Sequence, residues 1–440
     1  MSRRTLLGSL SQPDFRRLWL ATATSGSGQW ALQLALGWLV QTLTHSSFWV
    51  GTALFAMQIP NVLAAPWSGV LSDRFERSRV LTVSMGAAAV GTLALAALSG
   101  AGRASLPAVL AIVFLIGVAG TVMMVSSSAL LANVITDRDL LNAAALQAIA
   151  QRGSEFIGPA VGAILLAITG SWSVFALCAV FYVLGVQNAW GIRRRAASAQ
   201  PAADLPAAPA PTAGKPAATP AGAPSGRFRA SIHYVRTHQP LGLIVSLVGL
   251  HCPLTMCYMA VLPAFVLTSL HGGAGLFGTA MTLVGLGSAL GALPLLFVKA
   301  PRMRGRLMLW SGVLSGASLI ALGMSHAAVP ALASLVVVGA SQSMFMTITL
   351  AEVQERSDDA YRGRVSSIYL LQAGGSMAVA SPIYGFLGGI FGAAHILDGM
   401  GTAFVIVFLV YVASSLRLRG MCHLGARGQA LASVQLAGGS

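Results

Sequence analysis

LPAVLAIVFLIGVAGTVMMVSSSALLAN, residues 106–133, continues for about seven turns of helix without one charged side chain. A bilayer core is about 30 Å thick, and a helix crosses it with about 20 mostly apolar residues. The run is continuously apolar rather than alternating, which suits a membrane helix and not a barrel strand. Working outward, similar runs lie at 18–42, 49–72, 80–99, 145–169 and 172–190. A second set lies at 241–268, 275–298, 307–325, 328–351, 366–391 and 396–416. An all-α integral membrane protein with twelve transmembrane helices is expected. Composition agrees: the 440 residues are 55% hydrophobic and 9% charged, against about 25% charged for a soluble chain. That excludes a soluble enzyme, a secreted disulfide scaffold and a disordered chain. Glycine is abundant, and Gly287 with Gly291 forms a small-xxx-small pair suited to close helix packing.

A formal charge of +15 points first to nucleic acid. Placing the charges removes that expectation. With twelve spans, all but Arg103 of the 27 Lys and Arg residues fall on one side. By the positive-inside rule both termini are cytoplasmic, in a multi-pass protein of the bacterial inner membrane. Ser2-Arg3-Arg4 resembles an export signal, but Gln12, Pro13, Asp14 and two more arginines interrupt the apolar core it would need. Cys178, Cys252 and Cys257 fall within spans and Cys422 in the tail, so no disulfide framework or metal site is expected.

Residues 196–226 hold 13 Ala and 7 Pro and cannot bury enough surface to fold. They read as a cytoplasmic linker, and Arg227 to Gln239 as a short amphipathic surface helix. The expected organisation is a six-helix half at 1–195, linker and surface helix at 196–239, a second six-helix half at 240–420, and a cytoplasmic tail at 421–440. The halves echo each other. Pro159-Ala-Val-Gly162 matches Pro382-Ile-Tyr-Gly385, and the basic loop near Glu76 matches the one near Arg302. Two halves repeated in the same orientation are a common plan of alternating-access transporters.

The sharpest motif is Gly69-Val-Leu-Ser-Asp73-Arg74-Phe-Glu76-Arg77-Ser-Arg79, between the second and third runs. It resembles the Gly-x-Leu-Ala-Asp-Arg-x-Gly-Arg-Lys loop of the major facilitator superfamily, with Glu76 replacing the second glycine. Asp73 at a span end can accept hydrogen bonds from the open N-terminus of a neighbouring helix. The eleventh run begins nearby, after Arg362-Gly363-Arg364. The motif is then either a latch between the halves or a topology anchor. Asn142-Ala143, Gly158-Pro159-Ala-Val-Gly162, Tyr361-Arg362-Gly363-Arg364-Val365, Phe15-Arg16-Arg17-Leu18-Trp19 and His233-Tyr234-Val235-Arg236 resemble the enterobactin-exporter and macrolide-efflux branch of that superfamily. The resemblance covers the chain outside linker and tail, and it implies two parallel-repeated six-helix halves and an exporter. The branch often carries an acidic residue in its first span, where this chain has Gln29.

Intramembrane charges are expensive and usually functional. Arg152 and Glu155 lie three apart within the fifth run, on one helix face. They read as a proton carrier with its partner or as a permanent ion pair. His251 is a second titratable candidate. Pro159 bends its helix between Gly158 and Gly162, as an antiporter motif or a packing kink, and Pro382 repeats it. Polar stripes mark four runs: Thr22, Ser25, Gln29 and Gln33 with Trp30 beside them; Met124 and Ser128; Thr255 and Tyr258 with His251; Gln342, Met346 and Thr349. The resemblance implies that these four spans surround the substrate; each stripe alone also suits helix–helix hydrogen bonding. Amide, hydroxyl, Met and aromatic walls fit a bulky amphipathic molecule. The expected activity is proton-coupled secondary efflux of a siderophore or drug-like molecule by a monomer that uses no cofactor. An importer of the same fold is the alternative. An intramembrane enzyme or receptor would need a catalytic constellation or a sensing domain, and the sequence offers neither.

Overall fold

The computed structural model describes residues 8–63, 76–135, 140–196, 224–238, 241–296, 301–358 and 361–415. Gly69, Asp73 and Arg74, the bulk of the linker and the tail lie outside them. The described residues are helical with short turns and contain no strand.

Before the linker come α1 (Pro13–Thr44), α2 (Ser47–Leu63), α3 (Arg77–Gly100), α4 (Leu106–Val134), α5 (Leu140–Thr169) and α6 (Ser171–Ala196). After it come α7 (Pro224–Thr237), α8 (Leu241–His251), α9 (Leu262–Thr268), α10 (Ala274–Ala292), α11 (Pro301–Gly323), α12 (Ala328–Arg356), α13 (Arg362–Phe391) and α14 (Ala393–Ser414). Helix therefore occupies each of the twelve expected runs. Among the described residues nine helices are long and apolar enough to cross a bilayer: α3, α4, α6, α8 with its continuation to Ala260, and α10 to α14. Two of the others, α1 and α5, carry Gln29, Gln33, Gln147, Arg152 and Glu155, whose polarity lowers their mean hydropathy. The third, α2, has 17 described residues.

One expected span is broken. Where sequence suggested a continuous helix over 241–268, α8 gives way to a π turn (Cys252–Met256) and a 3₁₀ turn (Cys257–Ala260) before α9. Pro253 and Pro263 explain it, since each lacks the N–H that a continuous helix needs. The freed Thr255 carbonyl accepts a 2.6 Å hydrogen bond from Gln342 Nε2 of α12.

Within the first set α1 packs on α5 and α6, α3 on α4 and α6, and α2 on α4. Within the second α12 packs on α10 and α11, and α11 on α14. Two seams join the sets, α2 with α13 and α5 with α10. These seams exchange when the halves are swapped, as a pseudo-two-fold relation requires. The turns after α1 and before α10 repeat as well: His45 and His271 both take left-handed backbone, with φ of 51° and 49°.

At the end away from the termini, apolar and aromatic contacts close the junction. Trp38 stacks on Phe277 with centroids 5.5 Å apart, and Phe48 meets Phe386 edge-on at 6.3 Å. Backbones touch there, since a β-carbon on Gly51 would meet the Ser381 carbonyl and one on Gly385 the Ser47 carbonyl.

At the basic end α7 is pinned to the start of α13. Tyr234 Oη donates to Asp358 Oδ2 at 2.9 Å and accepts from the Asp358 N–H at 3.2 Å. The Tyr234 ring stacks on Tyr361 at 4.2 Å, and the Arg364 guanidinium lies 4.7 Å over Tyr361. Burial, then the Asp358 carboxylate, raises the Tyr234 hydroxyl above its ordinary value of 10.0. A raised folded value means that this contribution is complete below pH 10 and lost as pH climbs through the folded value. Tyr234→Phe removes both hydrogen bonds, for about 1 kcal/mol of local stability. Tryptic cleavage after the exposed Arg236 is expected to quicken about fivefold; an unchanged rate would show that the clasp does not hold α7.

Candidate functional site

Hydroxyls and amides tie α1 to α4 and α5. Gln147 Nε2 donates to Thr22 Oγ1 at 2.5 Å, and Thr22 also meets Ser127 Oγ at 3.4 Å. Ser154 Oγ donates to the Ala23 carbonyl at 2.9 Å. Ser154 is one residue from Glu155, so the same helix turn that anchors α5 to α1 turns its carboxylate toward α10.

Arg152 and Glu155 form the ion pair that their spacing suggested. Arg152 Nη1 lies 2.8 Å from Glu155 Oε1, with the side chains 32% and 13% exposed. The second carboxylate oxygen, Oε2, accepts a hydrogen bond from Ser288 Oγ of α10. A β-carbon at Gly285 would collide with the Glu155 carbonyl oxygen, so glycine there lets α10 lie against α5. The pair thus sits in the seam between the two helix sets. The Tyr258 hydroxyl is fully buried and has no hydrogen-bond partner among the described residues.

His251 lies apart from this cluster. It is fully buried, with Nε2 3.1 Å from Ser315 Oγ and the ring stacked 4.2 Å from Phe345 and edge-on to Phe404. Its other nitrogen, Nδ1, has no partner among the described residues.

The four polar stripes divide by half. In the first, Gln29, Met124 and Ser128 are exposed and Trp30 and Gln33 half-buried; Ser25 alone is buried, donating to the Thr22 carbonyl. In the second, most polar groups are spent on hydrogen bonds within and between helices. Thr255 donates to the His251 carbonyl, Gln342 to Thr255, and Thr349 shares a 2.8 Å hydrogen bond with Tyr369. Met346 takes the Cys252 thiol at 3.8 Å through sulfur and the Tyr369 hydroxyl at 3.0 Å through its carbonyl. Thr255, Tyr258, Gln342 and Thr349 are accordingly buried.

Both kink prolines, Pro159 and Pro382, are internal to their helices, and Gly158 lies against the Ser27 carbonyl of α1. Of the loop motif, Arg77 Nη1 donates to the Ala129 carbonyl at 3.2 Å. Arg79 pairs with Glu76 at 2.6 Å. Glu76 stands at the N-cap position of α3, where a carboxylate favours the helix dipole, and its side chain is engaged by Arg79 and the Ser78 hydroxyl rather than by the helix N–H groups. Gly363 and Arg364 lie in the first turn of α13. The Arg362 side chain is outside the described residues.

A family model described as transmembrane secretion effector matches residues 4–427. The chain belongs to that family, within the major facilitator superfamily. Its relatives include the enterobactin exporter of Citrobacter koseri, 26% identical over 432 residues, which cover 95% of this chain and 97% of the relative. The staphyloferrin A transporter of Staphylococcus aureus is 22% identical over 391 residues, covering 87% and 92%. Among solved structures, a POT family transporter in complex with 5-aminolevulinic acid superimposes with TM-score 0.67 at 12% identity, covering 92% of this chain and 96% of that one. The nucleoside transporter NupG gives 0.67 at 12%, covering 91% and 98%. At such identity these structures share the fold. This transmembrane secretion effector is therefore a multi-pass membrane transporter related to siderophore exporters.

Three residues at the centre of this family member were not singled out from sequence: Ser288, Gln147 and Ser154. A serine or glutamine in an apolar run has no partner until the helices are placed. The small-residue spacing around Gly287 was the one signal that α10 packs closely, and Ser288 is its neighbour.

Proposed function

We propose that this transmembrane secretion effector is a secondary exporter. It carries a small amphipathic molecule of siderophore type outward by alternating access, in exchange for protons. The observation that carries this reading is the Arg152–Glu155 pair lodged in the seam between the two helix sets, with Ser288 of the opposite set on the free carboxylate oxygen. A carboxylate there can feel whether the sets are together or apart. The exposed Gln29 and Met124, with the half-buried Trp30 and Gln33, support an amphipathic cargo. Relatives named for enterobactin and staphyloferrin A support a siderophore class.

Both termini lie in the cytoplasm, so the end sealed by Trp38, Phe277 and the Gly51–Gly385 crossing faces outward. Residues 1–195 and 240–420 are the moving bodies, 196–239 joins them, and a monomer suffices. Asp73 latches the start of α13 when the inner side closes. The test is a comparison of culture media from a deletion strain and its parent. An iron-chelating, amphipathic metabolite depleted from the medium and retained in the deletion cells is expected. Identical exported metabolites under iron limitation would remove the proposal.

A further inference from the structure

We infer that Arg152 anchors the exported molecule through a carboxylate, so that the cargo is an elongated amphipathic acid rather than a neutral amphiphile. This deepens the proposed export reading and rests on α1 and α4 as the cargo-facing walls.

Arg152 is the one Lys or Arg inside the twelve apolar runs. A guanidinium presents five N–H donors in a planar fork that matches the two oxygens of a carboxylate. Among the described residues its one hydrogen-bond partner is Glu155, reached from Nη1. Glu155 does not close the fork, because its second oxygen is engaged by Ser288. The two side chains are also unequally open. Arg152 is 32% exposed and Glu155 13%, so a solute entering beside α5 meets guanidinium donors before it meets the carboxylate. A carboxylate leaving water for an apolar cleft is strongly disfavoured unless a cation receives it, and the spans offer that cation at one place.

The surrounding contacts set the length and order of the cargo. Ser154 bonds the Ala23 carbonyl and Gly158 lies against the Ser27 carbonyl, so α5 and α1 run in step. Gln29 is two residues past Ser27 and Arg152 six before Gly158, a separation of about 12 Å along the helices. Thr22 meets Ser127, which brings α4 to the depth of Arg152, and the exposed Met124 follows about one turn farther from the basic end. A carboxylate at Arg152, an apolar body on Met124 and a hydrogen-bonding group at Gln29 fit in that order. With Glu155 beside it, Arg152 suits one negative charge rather than several.

The experiment measures binding of a dansylated ω-amino fatty acid and of its methyl ester to the full chain in nanodiscs, against empty nanodiscs, at mildly alkaline pH where the acid is ionised. The parent is expected to bind the acid at least about tenfold tighter than the ester. Arg152→Gln is expected to bind the two alike, with ester affinity unchanged as the sign of an intact site, and Arg152→Lys to restore part of the preference. Glu155→Gln, which leaves Arg152 in place, is expected to bind the acid about two- to fivefold tighter. Equal binding of acid and ester by the parent, or a preference that survives in Arg152→Gln, overturns the inference and leaves the export reading standing. Weaker acid binding by Glu155→Gln makes the pair structural and also overturns it. Binding of neither probe by the parent overturns α1 and α4 as the cargo-facing walls.

Discussion

Replacing Glu155 by glutamine is expected to abolish accumulation driven by a pH gradient while leaving downhill equilibration of the same cargo intact. Glutamine has nearly the same volume and is neutral like the protonated carboxyl, so the two helix sets can still part and the cargo can still equilibrate. What is lost is a group that changes charge. One proton moving through about 100 mV contributes about 2.3 kcal/mol, and one pH unit adds about 1.4 kcal/mol. Together they sustain a concentration ratio on the order of several hundredfold. In inverted vesicles that ratio is expected to fall to about unity for Glu155→Gln, with membrane levels of the protein unchanged. Normal gradient-driven accumulation in the variant removes Glu155 as the carrier.

The second large effect is expected at the opposite end. Gly51 and Gly385 bring α2 and α13 into backbone contact against Ser381 and Ser47. Small residues are what allow membrane helices to approach so closely. Gly51→Val introduces a branched side chain where a single β-carbon already collides, and such overpacking costs about 1–3 kcal/mol. The cost falls on the conformation in which this end is shut. If the open and shut states differ by a few kcal/mol, the population moves by about 10- to 100-fold toward the open state. Gly37→Cys supplies the reporter, because its β-carbon has ordinary van der Waals distances of 3.6 Å to Phe277 and Pro263 across the same junction. Maleimide labelling at that cysteine from the sealed side is expected to quicken at least about tenfold in Gly51→Val, and less in Gly51→Ala. An unchanged labelling rate in a stable variant would falsify the role of this crossing as a gate.

The fold was legible in sequence because lipid imposes one strong rule, that backbone polar groups be satisfied within the helix. Twelve apolar runs followed from it, and the expected orientation came separately from where the basic residues fall between them. The break at Cys252–Ala260 was legible in principle, since Pro253 and Pro263 stand in the sequence, but apolar content alone suggests one helix over 241–268. The Arg152–Glu155 pair followed from helical spacing, a local property. That it faces Ser288 did not, because the partner is separated from Glu155 by the linker and several helices. The polar stripes show the same limit. Periodicity places Gln29 and Gln342 on helix faces equally well, yet Gln29 is exposed and Gln342 is spent on the Thr255 carbonyl. Only the π turn, which frees that carbonyl, separates the two cases.

The unequal use of polar groups in the two halves bears on how the transporter changes its cargo under selection. Substitutions at Gln29, Gln33, Met124 and Ser128 alter groups that few interhelical bonds occupy, so on the proposed reading they are expected to change what is recognised at small cost in stability. Substitutions at Gln342, Thr349 or Tyr369 break buried hydrogen bonds among the π turn, α12 and α13 and are lost with the fold. Strains selected to expel a new compound should therefore accumulate their mutations on α1 and α4. Residues of the second half, whose polar groups hold its helices together, are expected to stay unchanged.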